Sequence, residues 1–132
     1  MAKVLIVDDQ NELAALLAAL AIRFGHDARY CGTGTVALQI AREFEPDIAF
    51  VDISMPEMDG FELARKLRAQ SAPALRIFAI SGHAPNTWPK GDLHVFEQYL
   101  LKPVLSKTVS TILGDNSGFP PFADPADSAD LM

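Results

Sequence analysis

Four apolar runs in this 132-residue sequence each end on a polar residue that can take part in chemistry. Val4-Leu5-Ile6-Val7 runs into Asp8-Asp9, Ile48-Ala49-Phe50-Val51 into Asp52, Arg76 to Ile80 into Ser81, and Glu97 to Leu101 into Lys102. If the runs are parallel strands, their carboxyl ends share one rim, where ligands bind in open α/β sheets. Three carboxylates, a hydroxyl and an ammonium then meet in one shallow pocket. Carboxylates that close raise each other's pKa, and a hard divalent cation relieves the repulsion. Mg²⁺ favours oxygen ligands, keeps some of its waters and bridges carboxylates to phosphate oxygens. In such a pocket one carboxylate can act as a nucleophile and form an acyl phosphate, a transfer that asks mainly for positioning and charge neutralisation. Asp52 is the best-placed nucleophile, because it ends the strand that reads as most buried.

The elements that would hold these residues alternate. Val4 to Val7 and Ile48 to Val51 are short, uninterrupted runs of the kind buried on both faces of a parallel sheet. Between them, Leu13, Leu16, Leu17, Leu20 and Phe24 form one apolar helical stripe that Gly25 closes. His26 to Cys31 reads as a half-polar edge strand. Thr33-Gly34-Thr35 opens a second helix with Ala37, Ile40, Ala41 and Phe44 on one face, and Glu45-Pro46-Asp47 ends it. After Asp52, Pro56 and Gly60 interrupt regular structure. Phe61 to Gln70 is helical, with Phe61, Ala64 and Leu67 inward, and Ser71-Ala72-Pro73 stops it. A last short helix, Ser106 to Leu113, packs Val109, Ile112 and Leu113. Units of roughly 20–30 residues alternating in this way specify right-handed crossovers and a five-stranded parallel sheet with helices on both faces.

Composition narrows the classes. Hydrophobic content is 49%, and 17 acidic against 11 basic residues give a net charge of -6. No basic cluster supports binding of nucleic acid or of an anionic membrane. Cys31 stands alone, so it reads as a small strand residue, and neither a disulfide nor a cysteine metal site forms within the chain. With no apolar run near 18 residues and no leader-like start, the expectation is a cytoplasmic protein. The sequence divides into a domain over residues 1–113 and an acidic, proline-containing tail over 114–132 that reads as disordered.

Over roughly residues 2–113 the chain resembles the receiver domain of two-component response regulators. The resemblance rests on Val4-Leu5-Ile6-Val7-Asp8-Asp9, on Val51-Asp52-Ile53-Ser54-Met55-Pro56-Glu57-Met58-Asp59-Gly60, on Ala79-Ile80-Ser81-Gly82, and on Tyr99-Leu100-Leu101-Lys102-Pro103. Each piece is a modest signal; the four in this order and spacing are specific. The family implies a flavodoxin-like doubly wound sheet of order 2-1-3-4-5. It also implies that Asp52 accepts a phosphoryl group from a histidine kinase or phosphotransfer protein. By the same resemblance Asp9 ligates Mg²⁺ directly, Asp8 mostly through water, and Asp52 and the Ser54 backbone carbonyl complete the set. Lys102 would pair with the phosphoryl group, with a cis Lys102-Pro103 bond. Ser81 and Tyr99 would form the switch, and Ser54 and His83 would tune the phosphoryl lifetime.

Plainer readings stand beside these. Asp8 and Asp9 can be helix caps, Ser81 a turn residue, Tyr99 a core aromatic, and His26 and His94 surface or satisfied histidines. The chain departs from the family pattern at Ala84 to Val95, where Pro85, Pro89 and Gly91 leave any fourth helix short, distorted or absent. A proline inside a helix costs about 3 kcal/mol. Trp88 there is either a partner anchor or a cover for exposed core. The function expected is a single-domain phosphorylation switch, monomeric or weakly dimeric, that signals by protein contact or phosphoryl relay. It is not an enzyme beyond its own phosphorylation and dephosphorylation. The alternatives are an aspartyl-phosphate phosphohydrolase, which wants a second acid where Ser54 stands, and a pseudo-receiver that only binds partners.

Overall fold

The computed structural model describes residues 1–71, 74–82 and 95–115. In chain order they form β1 (Lys3–Val7), α1 (Asn11–Arg23), β2 (Asp27–Cys31), α2 (Gly34–Phe44), β3 (Ile48–Asp52), α3 (Gly60–Gln70), β4 (Arg76–Ser81), β5 (Gln98–Leu101) and α4 (Ser106–Leu113). The strands make one parallel sheet in the order β2-β1-β3-β4-β5, the doubly wound arrangement that the alternating pattern requires. His83, His94, Trp88, the segment around Pro85, Pro89 and Gly91, and the tail beyond residue 115 lie outside the described residues.

Alternation along the strands divides the core in two. Leu5, Val7, Ala49, Val51 and Ile77 face α2 and α3. Val4, Ile6, Phe50, Phe78 and Ile80 face α1 and α4. All five residues of β3 are buried, whereas β2 is mostly exposed, as a central and an edge strand should be. On the α1 side the rings of Phe50 and Phe78 stack at 5.5 Å.

The stripe read for α1 needs one correction. Leu16 is exposed, and the buried face is Ala14, Leu17, Ala18 and Ala21. Three alanines let the helix backbone lie close to the sheet, and that approach turns Leu16 outward. Leu63, which the pattern did not single out in α3, is fully buried. Gly25 follows α1 with φ 90°, the left-handed conformation expected of it. His26 is a satisfied core histidine. The Ala2 N–H donates to its Nδ1 at 2.9 Å, so Nε2 carries the ring proton and donates to the Gly114 carbonyl at 2.6 Å. Cys31 is buried, and that burial pushes its thiol pKa up, which suits packing rather than reactivity.

Gly60 brings the start of α3 against the end of β3. A Cβ there would lie 2.6 Å from Ile53 Cα and 2.7 Å from the Asp52 carbonyl oxygen. At Gly34 the obstacle is the Met58 Sδ, 2.8 Å away, on a side chain that can yield. Gly60→Ala should therefore destabilise the protein by about 1–3 kcal/mol, the usual cost of overpacking, and Gly34→Ala by clearly less. Denaturant midpoints of the two variants test this, and equal losses would refute the distinction.

Candidate functional site

The ladder of the parallel sheet continues one residue past the strands and pins the polar residues at its rim. The Asp8 N–H donates to the Cys31 carbonyl at 3.1 Å and the Lys102 N–H to the Ser81 carbonyl at 2.8 Å. Val7 is in register with Val51 and Ser81 with Leu101, so Asp8 comes level with Asp52, and Lys102 follows one step beyond. Side chains that start 44 and 50 residues apart thus converge without any long flexible loop.

Asp52 is buried at the end of β3. Its Oδ1 accepts the Ser54 N–H at 2.9 Å, and its Oδ2 accepts from Lys102 Nζ at 3.2 Å. Asp8 is fully buried; its Oδ1 accepts the Gln10 N–H at 2.9 Å. Its Oδ2 lies 2.9 Å from Lys102 Nζ. At that distance the two form a buried charge pair. Asp9 is exposed at the mouth, and ligand oxygens of Asp8, Asp9 and Asp52 lie within 4.8 Å of one another. Asp9, Gln10, Ser54, Gly82 and Lys102 line an open cleft over Asp52.

The electrostatics follow from this crowding. Burial raises the Asp8 pKa, and the neighbouring Asp52 charge adds to the rise; the Gln10 N–H and Lys102 offset it only in part. Burial works against the Lys102 charge, but Asp8 and Asp52 outweigh it and hold the ammonium above its ordinary pKa. A hard dication suits three convergent carboxylates, two of them buried. Asp8, Asp9 and Asp52 could hold such an ion.

Ser81 is buried at the end of β4, one residue past the Asp52↔Ile80 pair. Tyr99 is half-buried and meets Phe96 edge-on at 5.3 Å, and Phe96 meets Phe61 in the same way at 5.3 Å. The Lys102-Pro103 peptide is cis. The loop after Asp52 is fastened to the start of α2, where the Thr35 hydroxyl donates to Glu57 Oε1 at 2.7 Å and Met58 covers Gly34. Within the site, sequence reasoning missed Gln10, whose Oε1 accepts from Lys102 Nζ at 2.9 Å. Its place directly after the acidic pair was the available signal.

Comparison with known proteins agrees with this geometry. A family model described as the response regulator receiver domain matches residues 4–113. Protein PilH of Pseudomonas aeruginosa is 30% identical over 121 residues, covering 86% of this chain and 98% of PilH. The two-component response regulator ORR26 of Oryza sativa is 33% identical over 112 residues, covering 83% of this chain but only 19% of the rice protein. A receiver domain described as CheY-like, from Methylobacillus flagellatus, superposes with a TM-score of 0.78 at 30% identity, over 86% of this chain and 96% of that one.

The raised Asp8 pKa carries a sign that can be tested. The folded protein holds a proton on Asp8 more tightly than the unfolded chain does. Stability is therefore lost as pH rises from the unfolded pKa through the folded one. At pH 7 and without metal, Asp8→Asn should raise the thermal midpoint, while the added stabilisation by Mg²⁺ seen in the wild type should shrink or vanish. Differential scanning fluorimetry with and without Mg²⁺ reads both effects.

Proposed function

The chain belongs to the family of response regulator receiver domains, and from that membership and the site's geometry we propose that Asp52 is the phosphoryl acceptor of a signalling switch. The observation that carries the proposal is the burial of Asp52 at the sheet rim, where Lys102 bridges its Oδ2 to Asp8 and the Ser54 N–H holds its Oδ1. A carboxylate so fixed can attack in one direction only, toward the open cleft.

Asp8, Asp9, Asp52 and the Ser54 backbone carbonyl would hold Mg²⁺, which when bound neutralises carboxylate and phosphoryl oxygens together. An Asp52 oxygen attacks the phosphorus of the donor. The new O–P bond forms as the P–N bond of a phosphohistidine, or the P–O bond of a small acyl phosphate, breaks, and the leaving group departs with the electron pair. Lys102 lies within reach of the charge gathered on the phosphoryl oxygens. Ser81 then turns its hydroxyl to a phosphoryl oxygen and Tyr99 moves inward, which biases the surface around β5. Ser54 at the cleft mouth, with His83, adjusts how long the acyl phosphate lasts.

The donor is a histidine kinase or a histidine phosphotransfer protein, and the output is protein contact or relay rather than turnover of a substrate. PilH, which this chain matches across nearly its whole length, supports a receiver acting on its own. Among the described residues no helix is long and apolar enough to cross a membrane, and we place the protein in the cytoplasm.

Intact-protein mass after incubation with Mg²⁺ and acetyl phosphate tests the chemistry. One added phosphoryl group is expected, absent from Asp52→Asn and from metal-free samples. An unmodified protein that also fails to bind beryllofluoride with Mg²⁺ would refute the acceptor role.

A further inference from the structure

Gln10 stands at the N-cap of α1, yet its side chain makes no capping bond. Short polar residues are preferred there because they reach back to the helix's own N–H groups, and glutamine is a poor choice for that task. Its backbone is nonetheless fully committed. The N–H donates to Asp8 Oδ1, and the carbonyl accepts from the N–H groups of Leu13 at 3.0 Å and Ala14 at 3.1 Å. Only the side chain is at liberty, and it lies across the cleft mouth with Oε1 on Lys102 Nζ.

We propose that Gln10 is a positioning residue that holds Lys102 at rest and then shields the phosphoryl group on Asp52, so that it sets the lifetime of the signal. The proposal rests on the acceptor role of Asp52 given above. Lys102 has two hydrogen bonds at rest, to Gln10 Oε1 and to Asp52 Oδ2, besides its charge contact with Asp8. To follow a phosphoryl oxygen, the ammonium must give up a partner. The bond to Gln10 is the one to a neutral, exposed group, and it costs least to release. A carboxamide has both an acceptor and donors. Once Oε1 is released, the Nε2 hydrogens can turn to a phosphoryl oxygen, and the side chain then covers the side from which water arrives.

Hydrolysis forms a bond from a water oxygen to phosphorus and breaks the bond from phosphorus to Asp52. The carboxylate leaves with the electron pair, and the water's proton goes to phosphate or solvent. A side chain across the mouth slows the first of these events. It leaves the Asp52 attack geometry and the carboxylate set unchanged.

Gln10→Met keeps the length and loses both acceptor and donors, whereas Gln10→Glu keeps the acceptor and loses the donors. Two readouts separate the two halves of the role. In metal-free, ¹⁵N-labelled protein, the Lys102 ammonium signal should shift and exchange faster in Gln10→Met but persist in Gln10→Glu. After phosphorylation by acetyl phosphate and removal of the donor, the acyl phosphate should decay roughly three- to tenfold faster in both variants, the factor that one hydrogen bond supplies. Thermal midpoints should stay near wild type, so a fold defect would not imitate the result. Decay of Gln10→Met at the wild-type rate or more slowly would overturn the inference, as would an unchanged ammonium signal. If the wild type takes no phosphoryl group, the acceptor role fails, and the metal-free ammonium signal still judges the contact between Gln10 and Lys102.

Discussion

Lys102 is the counter-charge on which the rest of the site depends. Two carboxylates, Asp8 and Asp52, are buried at the ends of neighbouring strands, where their mutual repulsion would otherwise favour a protonated or distorted site. One ammonium within 2.9 Å of the first and 3.2 Å of the second keeps them close. The pairing is not aimed at stability, since a buried charge pair seldom returns the cost of its desolvation. It keeps a concentrated negative charge at the sheet rim.

The surrounding fold is a set of devices that keep this rim in register. Asp8 and Lys102 each hang from a ladder bond to the neighbouring strand, and Asp52 and Ser81 are paired residues of β3 and β4, so their positions are fixed by backbone rather than by side-chain packing. The loop after Asp52 is the least regular part of the site. It is restrained from two sides, by Thr35 and Gly34 at the start of α2 and by Gly60 at the start of α3. On the far flank, the edge-on series Phe61–Phe96–Tyr99 joins β5 to α3. Tyr99 therefore cannot change its rotamer without altering the packing of Phe96.

Much of this was legible in the residues. Strands buried on both faces announce themselves as unbroken aliphatic runs, and a parallel sheet then dictates that Asp8, Asp9, Asp52, Ser81 and Lys102 end near one rim. What was not legible depended on depth and approach. Helical periodicity identifies a stripe but not its centre, so Leu16 was read inward although the alanines of α1 turn it out. Gln10 carries no charge and no pattern, and its importance comes from lying within reach of an ammonium 92 positions away. The same holds for His26, whose two partners are 24 and 88 positions distant.

That histidine has a geometric consequence. One imidazole spans the Ala2 amide and the Gly114 carbonyl, so both ends of the folded body are moored to a single ring, at the pole where the strands begin. The acidic cleft lies at the opposite pole, about 16 Å away along a five-residue strand. Chain that precedes Ala2 or follows Gly114 thus departs from the back of the described body, on the side away from the acidic cleft.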